Sequence, residues 1–449
     1  MSAYTAIVGK LLFPLHERLK GHTTVSVHNQ MEQRQWQTPE QLQQYQVQRL
    51  RTFLADIGAN VPYFRDMFAE RRFNPEAVTE LADLRALPLM GKPEIRAHTE
   101  RLKARDAAAL QRFNTGGSSG EPLIFYLGKE RVSHDVAAKR RATRWWGVDI
   151  GDPEIVIWGS PIELGAQDRV RLIRDKLFRT QLLSAFEMSP ENLDRFVAAI
   201  RRGRPKMLFG YPSSLAFIAQ HAIDRGVALD GLGIKVAFVT SERLYDHQRA
   251  LIEKVFGCPV ANGYGGRDAG FIAHECPAGN MHITADDIVV ETIRPDGSPT
   301  APGEAGEIVT THMATRDFPF VRYRTGDIGA VSHERCDCGR VLPLLTDLQG
   351  RTTDFLVARD GTVMHGLALI YVLRDLKGVS EFKIIQESLD LVRVQLVPDE
   401  SWGDAVQAQI IAGFRERLGQ EVDVDVQLCD AIAAEKSGKR RYVVSHVAG

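Results

Sequence analysis

Two groups of residues in this chain have the types and spacing to do chemistry. The first lies in RFNTGGSSGEPLIFYLG (112–128), where three glycines, two serines and a proline fall within seven positions. Such a loop can cradle phosphates, expose a serine nucleophile, or simply connect two elements. Gly116-Gly117-Ser118-Ser119-Gly120 satisfies the G-x-S-x-G pattern, but a nucleophile elbow needs a strand before it and a helix after it. Here the preceding RDAAALQRF reads as helix and the following PLIFYL as strand, which inverts that context. A Walker loop fails too, for want of its Lys and of a helix opening directly after the glycines. A glycine–serine loop able to wrap polyphosphate oxygens is left. The second group is HECPAGNMH with ERCDCGR, which offers Cys276, His282, Cys336 and Cys338. Three thiols and an imidazole make a complete tetrahedral zinc set with no open position, the structural arrangement. Cys-x-Cys is tighter than the common spacing, and His274 could replace His282. Cys258 and Cys429 lie in apolar runs and read as core.

The elements that must position these residues are clearest beyond residue 150. EIVIWG (154–159), KMLFG (206–210), IKVAFV (234–239) and CPVANGY (258–264) read as short buried strands. Between them SPENLDRFVAAIRRG reads as helix, with Ser189 as cap, Pro190 at the first position, and Leu193, Phe196, Val197 and Ile200 at helical spacing. PSSLAFIAQHAIDRG and YDHQRALIEKVFG read as two more, each closed by glycine. Alternating strand and helix imply an α/β fold with a largely parallel sheet. Its strands run into GSP, GYPSS, TSERL and GYGGRD, and polar ligands settle beyond the carboxyl ends of such strands. Near residue 350 the pattern changes to VSEFKIIQE, DLVRVQLV, DAVQAQIIAGFRERL and VDVDVQL, a small β-β-α-β unit. The expected organisation is a large N-terminal domain over 1–350 and a small α+β C-terminal domain over 351–449 that closes over the active site.

Composition narrows the class. Lys plus Arg number 56 against 57 Asp plus Glu, so no general basic footprint for nucleic acid exists. No apolar run reaches the ~18 residues of a membrane span. The segment MSAYTAIVGKLLFPLHERLKGH has an apolar patch, but Lys10 interrupts it and no small-residue cleavage site follows. Five cysteines in 449 residues are no disulfide framework, and a reducing cytoplasm is the expected location. The basic stretch RVRLIRDKLFR (169–179) reads as a solvated helix face, and Trp145 and Trp146 as packing at a helix end. The oligomeric state is left open, a dimer included.

Six motifs in order resemble the adenylate-forming superfamily of acyl-CoA synthetases, in its phenylacetate–CoA ligase-like branch with capsular-polysaccharide relatives. They are NTGGSSGEP, TSERL, NGYGGRDAG, YRTGD, GRTTD and KSGKRR, and they extend over nearly the whole chain. The resemblance implies that Thr115, Gly116, Gly117, Ser118, Ser119 and Gly120 hold the β- and γ-phosphates of ATP. It implies that Asn262, Gly263 and Tyr264 flank the adenine, followed by Gly265, Gly266 and Arg267, with Ser241 and Glu242 on a neighbouring strand end. Asp268 would bind Mg²⁺, Asp327 the ribose hydroxyls, and Arg351 would sit near ribose and phosphate. Lys439 would stabilise charge between the attacking carboxylate and the α-phosphate. The acid substrate would lie among Trp158, Gly210, Tyr211 and Pro212. Some members of the branch carry a zinc site of the kind seen here.

A carboxylate attacking a phosphoryl group brings two anions together, so a metal ion and a cationic side chain must offset their repulsion. The implied activity is formation of an acyl-adenylate and pyrophosphate from an acid and ATP, followed by transfer to CoA. Three departures bear on it: Glu121 where many relatives have Lys, Asp268 where Glu is usual, and Thr353-Asp354 at the hinge in place of two acids. Loss of the first hinge acid weakens the case for the CoA half-reaction. The alternatives are transfer to an amine, hydroxyl or sugar, or a retired nucleotide-binding scaffold.

Overall fold

A computed structural model of the chain describes residues 2–114, 123–158, 169–185, 187–349, 355–374, 376–432 and 443–447. The chain divides into two compact units, one of 1–115, 123–152 and 261–350, the other of 116–122, 153–260 and 351–449.

The first unit is built on long helices and an antiparallel sheet. The helix Pro39–Asn60 begins at a capping box, Thr38 and Gln41 each satisfying the other's backbone N–H. One side of it, Leu42, Leu50, Phe53, Leu54 and Ile57, is buried at helical spacing. In the sheet, Phe320–Ser332 lies between Gly306–His312 and Leu344–Gln349, and Gly270–Glu275 lies between Val260–Gly266 and Met281–Ile283. Tyr264 stands opposite Ala273, and His282 opposite both His274 and Leu344. Phe53, Phe64, Phe125, Phe318, Phe320 and Tyr323 fill the core.

The glycine–serine loop is flanked by two strands, Gln111–Asn114 and Ile124–Leu127, paired antiparallel. The expected helix through RDAAALQRF does not form: 105–110 are turn and irregular chain, and 111–113 are strand. Gln111, Arg112 and Phe113 pair with Leu127, Tyr126 and Phe125 across the loop, and that cross-strand pairing overrides their local preference. No helix opens after Pro122, so a nucleophile elbow stays excluded.

In the second unit Thr180–Ser184, Glu154–Trp158, Met207–Gly210 and Val236–Thr240 run parallel in that order. Ser189 caps Pro190–Gly203 by accepting from Asn192 N–H, and Leu193, Phe196, Val197 and Ile200 are buried as their spacing predicts. Helices Pro212–Asp224 and Asp246–Phe256 follow the next two strands. The C-terminal stretch has its own core of Phe382, Ile384, Val392, Val394, Leu396, Ile410 and Phe414. Its sheet runs Asp423–Leu428, Leu391–Pro398, Val379–Gln386, Val443–Ser445. The last strand and the helix Leu367–Arg374 add to the β-β-α-β unit read from the sequence.

Candidate active site

Two tyrosine–aspartate hydrogen bonds cross-link two segments of the first unit. Tyr264, on Val260–Gly266, donates to Asp327 Oδ2 at 3.0 Å. Tyr323, four residues before Asp327 on Phe320–Ser332, donates to Asp268 Oδ2 at 2.6 Å, just beyond the first strand. Each segment thus supplies one donor and one acceptor. Both tyrosines are buried, and both aspartates are partly accessible. Thr325 steadies the second acid, since its Oγ1 donates to Ile308 O at 2.9 Å and accepts from Asp327 N at 3.2 Å. Ala269 N–H steadies the first, at 3.0 Å from Asp268 Oδ1. Gly265 is required by packing: a Cβ there would lie 2.0 Å from the Gly270 carbonyl oxygen. Asn262 N–H donates to Glu275 Oε2 at 2.8 Å, while Gly263 is buried and Gly266 and Arg267 are exposed.

The donor set suits a hard cation. Among the described residues, Asp268 accepts from a phenol and a backbone amide, both neutral, so its charge is not consumed by a neighbouring Lys or Arg. Asp268 would be the residue that holds a magnesium ion here.

Beneath that loop lies a charged cluster that the sequence motifs do not announce. Arg131, on the helix Lys129–Trp145, is 1 % exposed and fully engaged. Its Nε donates to both oxygens of Asp135 (3.0 and 2.9 Å), Nη1 to Asp268 O (3.1 Å) and Nη2 to Arg267 O (3.3 Å). His134 and His312 complete the cluster, ring centroids 4.7 Å apart. Burial acts to raise the Asp135 pKa, but Arg131 and the two histidines outweigh it and hold the carboxyl well below its ordinary range. Burial, with Arg131, pushes His312 down to about 3. His134, Asp135 and His312 lie close enough to suggest a metal. However, His312 Nδ1 accepts from Ala314 N–H, which leaves the proton on Nε2, the atom facing Asp135. With Asp135 already neutralised by Arg131, the cluster fits an ion pair that fixes the 267–268 backbone.

In the second unit Ser241 follows Val236–Thr240 in the left-handed region (φ 72°), a strained setting for a residue with a Cβ. It turns the chain so that Glu242 meets Ser213, whose hydroxyl donates to the carboxylate. Trp158 ends its strand and stacks on Tyr211, centroids 4.3 Å apart and planes 20° apart. Tyr211 precedes the helix that Pro212 opens, and Gly210 before it admits the neighbouring strand: a Cβ there would sit 2.4 Å from Ile157 O. All four residues expected around the acid substrate therefore meet at adjoining strand ends.

The four zinc-set residues also converge. Their ligand atoms all lie within 4.8 Å of one another. Cys276 Sγ and Cys336 Sγ are 3.6 Å apart, far from a disulfide and close to the ~3.8 Å edge that Zn–S bonds of ~2.3 Å give a tetrahedron. Cys338 Sγ is 3.2 Å from His282 Nε2. His282 Nδ1 is 3.0 Å from Leu342 O and donates to it, which turns the Nε2 lone pair toward the thiols. Burial pushes Cys276 up to about 12 and His282 down to about 4. His274 lies outside the set, stacked on Phe271. Trp145 packs edge-on against His282, and Trp146 donates to Glu275 O at 3.0 Å, so both indoles serve packing. Cys258 is buried as expected, whereas Cys429 is half-buried.

Thr115, Gly116, Gly117, Ser118, Ser119, Gly120, Arg351 and Lys439 lie outside the described residues. Sequence reasoning missed Tyr323 as an individual residue, although it stands inside YRTGD, and missed Arg131 entirely.

The mixed α/β fold with its C-terminal stretch matches that of solved adenylate-forming ligases. The 2-hydroxyisobutyryl-CoA ligase with 2-HIB-AMP and CoA in its thioesterification state shares the fold, at TM-score 0.66 and 20% identity over 92% of this chain and 91% of that one. The same ligase in its postadenylation state gives TM-score 0.61 with the same coverage and identity. Residues 356–446 match the CapK C-terminal domain. The chain is a homologue of Protein CapK of Staphylococcus aureus, 24% identical over 90% of this chain and 89% of that one. It is equally a homologue of phenylacetate-coenzyme A ligases, that of Thermus thermophilus at 24% (85% and 84% covered) and that of Pseudomonas putida at 25% (90% and 93%).

Proposed function

We propose that this chain is an ATP-dependent, AMP-forming acid–thiol ligase. A carboxylic acid and ATP give an acyl-adenylate and pyrophosphate, and CoA then displaces AMP. The crossed pairs Tyr264–Asp327 and Tyr323–Asp268 carry this reading, because they join the residues proposed for adenine, ribose and metal. CoA as acceptor is supported by the relatives named phenylacetate-coenzyme A ligase.

In this reading Tyr264 packs against the adenine and Asp327 accepts from the ribose hydroxyls. Asp268 holds Mg²⁺, which when bound neutralises phosphate charge. Thr115 to Gly120 wrap the β- and γ-phosphates, Arg351 lies near ribose and phosphate, and Lys439 offsets the charge that develops at the α-phosphorus. Ser241 and Glu242 shape the nucleotide side, and Trp158, Gly210, Tyr211 and Pro212 bound the acid. Residues 351–449 act as the small mobile domain, in keeping with their separate core. Zinc on Cys276, His282, Cys336 and Cys338 is structural, with no vacant position for a substrate.

The test is ATP–pyrophosphate exchange across a panel of carboxylic acids, followed by CoA-dependent AMP release. One acid class should stimulate exchange, and Lys439→Ala should slow it by roughly 10²–10³. Exchange unchanged in Lys439→Ala refutes the role of that lysine, and AMP release indifferent to CoA refutes the acceptor.

A further inference from the structure

The N-terminal segment presents a face that the proposed chemistry leaves unused. Ala3–Ile7, a π-helical turn Val8–Leu12 and Phe13–Leu19 form one helical run of about 25 Å. Thr5, Val8, Gly9, Phe13 and Glu17 face inward, and Thr5 is anchored to Asp152. Outward, Tyr4, Ile7, Leu11, Leu15 and Leu19 are 38, 51, 65, 55 and 80% exposed. At helical spacing these five fall within an arc of roughly 120°. Five large apolar side chains on one exposed stripe are far beyond scattered surface hydrophobics.

The charges decide what the stripe fits. Lys10, Arg18 and Lys20 are exposed along it, and Lys129 Nζ lies beside Gly21 at its end. The one acid within residues 2–22, Glu17, is turned inward and occupied by Thr24, His16 and His22. A second copy docking through the same stripe would set cations against cations with no acid in the stripe to answer them. An anionic lipid surface answers both features, since its headgroups take the cations and its acyl boundary takes the apolar row.

We propose that the Ala3–Leu19 run is an in-plane membrane anchor that seats the protein on anionic lipid, lying on the bilayer. No helix among the described residues is long and apolar enough to cross it.

The test is co-sedimentation of the full-length protein with vesicles of phosphatidylcholine alone or mixed with phosphatidylglycerol. Wild type should partition onto the mixed vesicles, and several-fold less at raised salt. Leu11→Ser with Leu15→Ser should weaken partitioning about ten-fold or more, with the thermal midpoint preserved because both side chains already face solvent. Lys10→Gln with Arg18→Gln and Lys20→Gln should reduce binding to mixed vesicles to the level seen on phosphatidylcholine alone. Wild type left in the supernatant with mixed vesicles overturns the proposal, as does equal sedimentation of both variants and wild type. A dimer in analytical ultracentrifugation that Leu11→Ser with Leu15→Ser dissociates also overturns it, and assigns the stripe to a second copy.

Discussion

Replacing Arg131 by Met removes the only cation within hydrogen-bond reach of Asp135 among the described residues, while keeping most of the side chain's volume. Stripping one partner from a buried ion pair costs about 3–5 kcal/mol, because the remaining charge stays desolvated. Asp135 retains 21% of its side-chain exposure, so the lower end, about 3 kcal/mol, applies. The carbonyls of Arg267 and Asp268 also lose a charged donor, adding about 1 kcal/mol together. The expected loss is therefore roughly 4 kcal/mol, read as a lower guanidinium midpoint at unchanged slope. Its pH dependence is specific. In wild type the Asp135 carboxyl lies below its ordinary range, so its contribution is present above the ordinary carboxylate pKa and is lost on acidification. Without Arg131 burial dominates, the pKa rises, and the folded variant takes up a proton under mildly acidic conditions. The gap between variant and wild type should then narrow as pH falls from about 7 toward about 5. Arg131→Met with Asp135→Asn should recover roughly 2 kcal/mol over the single variant, since no orphaned charge remains. A single variant within about 1 kcal/mol of wild type, or a double variant no better than the single one, refutes the assignment of Arg131 as the partner that keeps Asp135 ionised.

Other expectations follow from the same geometry. Burial holds His274 and His312 down to about 3 and His282 down to about 4, so each stays neutral in the fold but takes a proton when unfolded below its ordinary value near 6.5. Stability is thus full above that value and should fall by about 4 kcal/mol per pH unit between roughly pH 6 and 5, three protons at about 1.4 each. Denaturant midpoints that stay level across that range contradict it. Tyr323→Phe should raise the Mg²⁺ concentration for half-maximal ATP–pyrophosphate exchange about ten-fold, the scale of a lost hydrogen bond to a charged group. A lower melting point with no change in Mg²⁺ dependence would make Tyr323 merely structural. Elemental analysis should find one zinc per chain in wild type and little in Cys336→Ser, with a drop in melting temperature. Protein purified without chelators and found metal-free refutes the zinc assignment.

Much of this fold was legible because its signals are local. Ser189, Pro190 and the spacing from Leu193 to Ile200 specify a helix without reference to anything distant. Within KMLFG and IKVAFV the strand residues Met207–Gly210 and Val236–Val239 are apolar and buried throughout, because central parallel strands are covered on both faces. The convergence of Cys276, His282, Cys336 and Cys338 was legible because thiols are scarce in this chain and each one stands out. What escaped was non-local. The strand Gln111–Asn114 exists through its partner across the loop, so its own residues gave no warning. Arg131, Asp135 and His312 meet only after folding, and no spacing rule connects positions so far apart. Tyr323 was inside a recognised motif, yet its partner Asp268 lies 55 residues away.

With the proposed nucleotide and metal roles, the crossed tyrosine–aspartate pairs would also link two equilibria. A nucleotide drawing on Asp327 would load the Tyr264 bond, and a cation on Asp268 would load the Tyr323 bond, on the same two segments. Whatever free energy one ligand spends or saves in setting that frame is felt by the other, and the coupling must be equal in both directions. Nucleotide affinity measured with and without Mg²⁺ should change by the same factor as Mg²⁺ affinity measured with and without nucleotide. Replacing both phenols by Phe should shrink that shared factor toward the direct metal–phosphate attraction alone.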